Sequence, residues 1–342
     1  MPPIVPLDRS REAALRALVD GKAKPLGALG RIEDLAVRLA LIQGREDPTF
    51  DRALLLVFAG DHGLNEAGVS AYPSAVTTAM VATLLAGRAS ANAFARVVGA
   101  EVRVVDAGVA ADLGPHPALI DAKVRKGTRN AAVEPALTPD EVQSALARGG
   151  AVARQVIEAD GFDVLAVGEM GIGNSASAAL ILHRLAPAPL ADCIGLGAGH
   201  DAEGLARKHA VLQQAAARSP ASEPLDVLAE FGGLEIIAMA GAILGAAAAR
   251  TPVLVDGFIA STAALAAIRL DPAAADFCVF AHRSPEKGHA LVLEAAGADP
   301  LVDLSMRLGE GTGALLALPI VRAAAALLSD VASLDDVLAG RL

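Results

Sequence analysis

Short apolar runs recur along the chain, and most of them end in a polar or glycine-rich cluster. Residues 53–59 precede Gly60, Asp61 and His62, residues 102–105 precede Asp106, and residues 164–167 lead to Glu169. Residues 192–194 precede a glycine loop at 195–199, residues 252–255 precede Asp256, and residues 277–281 precede His282 and Arg283. Helical patterns lie between these runs. The alternation predicts a doubly wound α/β fold, its mostly parallel sheet of about six strands covered on both faces. Ligands on such sheets bind beyond the carboxyl ends of the strands. The polar clusters fall at that edge, so function is expected there.

The helices have readable starts. Pro139, Asp140 and Glu141 begin one that runs to about Glu158. Residues 201–218 carry apolar positions at helical spacing, and Ser222-Glu223-Pro224 leads into a further helix. Residues 112–139 read as an irregular loop, with four prolines and a basic cluster at Lys123, Arg125, Lys126 and Arg129. The first 45 residues and those after about 305 look helical without strands. The expected division is therefore a large α/β substrate-binding domain at 46–304 and a small helical domain from 1–45 and 305–342.

Composition narrows the class. Hydrophobic residues make up 54% of the 342, with no Trp, one Tyr and eight Phe, so helix-on-sheet packing by small side chains is expected. The formal net charge of −10 argues against a nucleic-acid surface, which needs a basic stripe. Any anionic ligand must be held by a local site. Cys193 and Cys278 sit in apolar runs without metal spacing, which predicts buried free thiols and a cytoplasmic location. The amino-terminal residues lack the basic start and apolar stretch of a secretory leader. The apolar run 236–249 is too short to span a bilayer, which takes roughly 20 residues. No membrane partner is expected.

The richest chemistry lies at 163–182, DVLAVGEMGIGNSASAALIL. It reads as a buried strand, the carboxylate of Glu169, the glycines 168, 171 and 173, and a helix capped by Asn174 and Ser175. Tight glycine turns leading into a helix amino terminus make an anion cradle. The loop containing Gly197 and Gly199 offers a second, weaker cradle. Lys208, in the next helix, reads more readily as a solvated lysine than as a phosphate clamp. Asp61 and His62 admit a metal pair, a general base or a loop pinned by hydrogen bonds. The last is favoured, since no clustered carboxylates accompany them. Residues 70–80 mix small, aromatic and thioether side chains suited to a flat apolar ligand. Asp256 ends a strand, and Ser261 and Thr262 are available either as caps for the helix that follows or as ligand contacts. His282, Arg283 and Ser284 bring hydroxyl and basic groups to the same edge. Glu310, flanked by Gly309 and Gly311 in apolar surroundings, reads either as an acid favoured by the helix dipole or as a base raised by desolvation.

Taken in order, KPLGALGRIEDLA at 24–36, GDHG, GVSAYP, GEMGIGN, GLARK at 204–208, VDGF and RLGEGTGA at 307–314 resemble the nicotinate-nucleotide–dimethylbenzimidazole phosphoribosyltransferase family. The resemblance runs from about residue 20 to 320. It implies a homodimer that converts nicotinate mononucleotide and dimethylbenzimidazole to α-ribazole phosphate and nicotinate, for the lower ligand of cobalamin, with no metal or redox cofactor. It implies Glu310 as the catalytic base. Glu169, Gly171, Gly173, Asn174, Ser175, Gly197, Gly199, Lys208, Asp256 and Ser284 would hold the nucleotide. Ser70, Tyr72, Pro73, Met80, Leu308 and Leu315 would line the slot for the aromatic base. The chain departs from the family's usual pattern at Leu196 and Ala198, where arginine and threonine are common, and at Ala79, where glutamine is common. Those departures leave open a non-catalytic sensor of nucleotide or benzimidazole on the same fold. A metal-dependent hydrolase built on Asp61, His62 and His282 is a third reading. A dehydrogenase is disfavoured, because no GxGxxG follows the first strand.

Overall fold

A computed structural model describes residues 2–197, 199 and 201–341. In chain order the elements are α1 (Glu12–Asp20), α2 (Arg31–Gln43), β1 (Ala53–Gly60), α3 (Ala75–Leu85), α4 (Ser90–Val98), β2 (Ala100–Gly108), β3 (Leu119–Asp121), α5 (Pro139–Glu158) and β4 (Val164–Met170). There follow α6 (Asn174–Leu185), α7 (Leu190–Cys193), α8 (Ala202–Arg218), α9 (Pro224–Phe231), α10 (Leu234–Ala248), β5 (Val253–Val255), α11 (Phe258–Leu270), β6 (Cys278–Phe280), α12 (His289–Ala295), α13 (Thr312–Ser329) and α14 (Leu334–Leu338).

The strands form one parallel sheet in the order β3-β2-β1-β4-β5-β6. Every residue of β1, ALLLVFAG, is buried, as a strand covered on both faces requires. Phe58 of β1 pairs with Glu169 of β4, while Ala59 pairs with Asp106 of β2 before the register shifts at Gly60. The chain leaves β1 in one direction to β2 and returns on its other side as β4. The topological switch point therefore lies between β1 and β4, and ligands on such sheets bind beyond the carboxyl ends of the strands.

Two strand assignments differ from expectation. Residues 190–193 form the short helix α7, its N-cap at Pro189, and take no part in the sheet. The sixth strand is instead β3, within the segment expected to be an irregular loop. It pairs with the end of β2 at Val104, Val105 and Asp106. Three residues following prolines cannot by themselves distinguish a strand from a helical turn; the free edge of the nine-residue β2 decides which segment is recruited.

Small residues allow close layers. A Cβ on Gly149 of α5 would fall 1.8 Å from the Ala238 carbonyl oxygen of α10, and one on Gly241 would fall 2.1 Å from that of Leu146. The two helices thus touch backbone to backbone. Helix α13 is long and apolar enough to cross a membrane by length and composition, yet it packs against α2, α4, β4 and β5 as a core helix. The chain termini meet through Ala23 N–H to Ala332 O (2.9 Å) and Leu334 N–H to Gly21 O (2.8 Å). The Arg38 guanidinium of α2 donates to the carbonyls of Ala275, Asp276 and Cys278, tying this layer to the β6 edge. Cys193 and Cys278 are buried free thiols, and burial pushes them up to about 11 and about 12 respectively.

Candidate active site

A cleft opens beyond the carboxyl ends of β4, β5 and β6. Its walls are the turn after β4, the start of α6, the segments after β5 and β6, and the extended stretch before α13. Ser70, Glu169, Gly171, Gly173, Asn174, Ser175, Gly197, Asp256, Ser284 and Leu308 all line it, although they come from six separate parts of the chain.

Glu169 is 7% exposed near the end of β4. Asn174 Nδ2 donates to its Oε2, and a Cβ on Gly309 would lie 2.4 Å from its Oε1. Burial pushes its pKa up to about 8; the Asn174 hydrogen bond opposes this, and the carboxylates of Asp256, Glu235 and Glu310 reinforce it. At neutral pH Glu169 is therefore a protonated acid. Asn174 is committed to this contact and does not cap α6. The N-cap is Gly173, at φ 94°, with no side-chain hydrogen bond. The expected Asn174–Ser175 cap is thereby corrected: no side chain caps α6, whose Asn174 and Ala176 N–H groups donate to the Gly171 and Gly173 carbonyls.

Glu310 lies outside its helix, at φ 59° between Gly309 (87°) and Gly311 (81°). Three successive left-handed residues carry the chain across β4, where a Cβ on Gly168 would meet the Gly311 nitrogen at 2.2 Å. The Glu310 side chain is buried, the residue being 2% exposed, and its Oε2 has no hydrogen-bond partner among the described residues. Burial raises its pKa, the Ala91 N–H opposes that rise, and Asp256 adds to it. Its carboxylate faces the start of α4, and Gly309 rather than Glu310 forms the wall of the cleft.

Asp256 fixes that turn. Its Oδ1 accepts from Gly313 N–H (2.7 Å) and Ala314 N–H (3.1 Å), and its Oδ2 from Gly311 N–H (3.1 Å). It caps a helix more than fifty residues away in sequence, a role its local sequence does not reveal. Ser261 and Thr262, read as caps or as ligand contacts, lie inside α11, whose N-cap is Gly257, and do not line the cleft. The Thr262 hydroxyl donates to Phe258 O, and Ser261 Oγ lies 3.0 Å from His289 Nε2. His289 Nδ1 accepts from Ser284 N–H at 2.8 Å, so its proton sits on Nε2 and is donated to Ser261. Burial lowers the His289 pKa to about 4, which keeps the ring neutral.

Lys208 is not solvated. At 1% exposure its Nζ donates to Ser175 Oγ (3.0 Å) and Gly195 O (3.2 Å), joining the start of α6 to the glycine loop. Burial lowers its pKa to about 8, against the pull of Glu286. Gly197 and Gly199 adopt φ 60° and 83°, and a Cβ on Gly199 would lie 3.4 Å from the Tyr72 ring. Ala198 lies outside the described residues. Tyr72 and Pro73 are exposed beside this loop, and Met80 is half-buried on α3. Leu315 is only 1% exposed, inside α13, and does not reach the cleft. Arg307, outside the expected set of site residues, lines the mouth and donates to Gly197 O at 3.4 Å. His282 and Glu286 complete the wall. Among the described residues no group of three or more His, Cys, Asp or Glu is arranged to hold a metal ion.

The Glu169 acid thus stands beside a glycine-lined helix end, with the buried Lys208 joined to it through Ser175. This arrangement suits a phosphate-bearing ligand. A family profile described as phosphoribosyltransferase matches residues 4–337. The chain belongs to that phosphoribosyltransferase family. It is 52% identical over 334 residues to the nicotinate-nucleotide–dimethylbenzimidazole phosphoribosyltransferase of Cupriavidus necator, covering 97% of this chain and 96% of that one. The protein of the same name from Ralstonia nicotianae is 55% identical over 330 residues, 95% and 93% of the two chains. The crystal structure of CobT from Thermus thermophilus superposes with a TM-score of 0.92 at 43% identity, covering 96% and 98%. The α/β fold and the transferase class expected from the sequence stand on these relatives.

Proposed function

We propose that this enzyme transfers the phosphoribosyl group of nicotinate mononucleotide to dimethylbenzimidazole or a related aromatic base. The products are α-ribazole phosphate and nicotinate. The supporting observation is the convergence of the GEMGIGN turn, Lys208 and the RLGEGTG turn on one cleft at the strand carboxyl ends.

The phosphate lies against the turn that leads into α6, with Gly171, Gly173, Ser175 and Gly197 approaching closely and Lys208 beneath. Protonated Glu169 adds no repulsion there. Ser70, Tyr72, Pro73 and Leu308 bound the slot for the flat base. The C–N bond from the anomeric carbon to the pyridinium nitrogen breaks, and its electron pair neutralises that nitrogen as nicotinate leaves. A benzimidazole nitrogen attacks from the opposite face, giving the α configuration. Its second ring N–H becomes acidic as the new bond forms, and the Glu310 carboxylate, buried behind the Gly309 wall, takes that proton once its side chain turns from α4 toward the slot. General-base assistance contributes about 10²–10⁴-fold; alignment of two substrates contributes about 7–11 kcal/mol.

Glu310→Gln tests the assignment by nicotinate release and by calorimetric binding of the nucleotide. The expected outcome is unchanged nucleotide affinity with kcat lower by at least ~10². Near-normal kcat removes Glu310 from the mechanism.

The reading extends to a cytoplasmic homodimer. Leu29 (45% exposed) lines an apolar groove with Ile32, Pro319, Ile320 and Leu327, a surface suited to a second copy. Light scattering that gives the monomer mass at micromolar concentration would refute the dimer.

A further inference from the structure

Behind the Gly171 turn lies a buried ionisable pair that the proposed reaction does not use. His62 follows β1 and Glu235 is the second residue of α10; His62 Nε2 and Glu235 Oε1 lie 2.6 Å apart, with the side chains 1% and 0% exposed. Three glycines clear space for them. A Cβ on Gly233 would lie 2.3 Å from His62 Cε1, and one on Gly60 would lie 2.8 Å from Glu235 Oε2. A Cβ on Gly171 would meet Gly60 O at 2.5 Å, Glu235 Oε1 at 3.3 Å and His62 Nε2 at 3.4 Å. The cradle turn therefore rests directly on the pair. His62 Cβ also lies 3.6 Å from the Cβ position of Gly173, at the other end of the turn.

Pinning a loop requires only a neutral hydrogen bond. Burying two ionisable groups is costly unless their geometry repays it, and Glu235 Oε2 is left without a hydrogen-bond partner among the described residues. Burial opposes charge on His62, yet the adjacent Glu235 outweighs it and holds the imidazole pKa above its ordinary value. The helix end of α10 favours the carboxylate. The pair thus stands directly behind the turn that faces the anion.

We propose that His62 and Glu235 are positioning residues for the nucleotide, their hydrogen-bonded pair holding the 171–173 backbone at the spacing the phosphate needs without touching substrate. This rests on the reading of that turn as the nucleotide cradle. The test is steady-state kinetics and calorimetry on Glu235→Gln, which keeps the volume and a hydrogen bond but removes the charge. The nucleotide KM and Kd are expected to rise about tenfold, the loss of one charge-assisted contact, while kcat and the KM for dimethylbenzimidazole stay within about threefold. His62→Asn should give the same split, and the double variant should be no worse than either single one. On the wild-type protein, the His62 Cε1–H resonance should move with saturating nicotinate mononucleotide and stay put with dimethylbenzimidazole alone.

A lowered melting temperature with unchanged nucleotide Kd would make the pair a structural pin and overturn the inference. So would a loss confined to kcat, or a His62 resonance indifferent to nucleotide. If the wild-type protein neither binds nicotinate mononucleotide nor releases nicotinate, the functional reading falls and this inference with it. Normal wild-type binding beside unaltered variants sinks the inference alone.

Discussion

Glu169 makes a prediction whose size follows from its surroundings. It is 7% exposed, and its pKa moves from 4.5 to about 8, burial being the largest cause. Between those pH values the folded protein holds a proton that the unfolded chain has released. The sign is therefore destabilising as pH rises: the native state binds more protons, so unfolding becomes easier from pH 4.5 toward about 8. At about 1.4 kcal/mol per unit, the site costs about 3 kcal/mol at neutral pH relative to pH near 4.5. Glu169→Gln replaces the acid by a neutral group of the same shape, and its Oε1 can still accept from Asn174. The variant should gain about 3 kcal/mol over the wild type at pH 7 and almost nothing at pH 4.5. Urea unfolding of both proteins at several pH values from 4.5 to 8 measures this difference directly. Parallel stability curves for the two proteins would show that the carboxyl is not held protonated. The same variant should bind nucleotide at pH 7 much as the wild type does, and should lose less affinity above pH 8, where the wild-type acid ionises beside the phosphate.

Other substitutions probe the remaining supports of the cleft. Asp256→Asn leaves one acceptor where the carboxylate meets three N–H groups at the start of α13; it should destabilise by about 1–2 kcal/mol in urea unfolding. Because that cap anchors the Glu310 turn, kcat should fall as well, and an unaltered kcat would separate the cap from the base. Lys208→Met keeps the buried stem but removes the contacts to Ser175 and Gly195. The nucleotide KM should rise by at least about tenfold while the benzimidazole KM holds; equal rises in both would deny the lysine a phosphate role.

Much of this protein could be read locally. The β1, β2 and β4 runs, the helix from Pro139 to Glu158 and the glycine turn after Glu169 are legible because a buried parallel strand, a capped helix and a tight turn each leave marks within about ten residues. What the chain order could not supply is which distant groups meet. Asp256 was legible as a strand-end acid, but the fold alone makes it the cap of α13. Lys208 looks solvated by its helix position and becomes buried only because the 195–197 loop and α6 close over it. Asn174 looks like a cap until Glu169, held one strand-end away, captures its amide. Sequence periodicity records how each residue partitions between water and core, and so determines the elements. Hydrogen bonding and desolvation depend on atoms a few ångströms apart through space, so protonation states, caps and the makeup of the cleft were decided only when the strands came side by side.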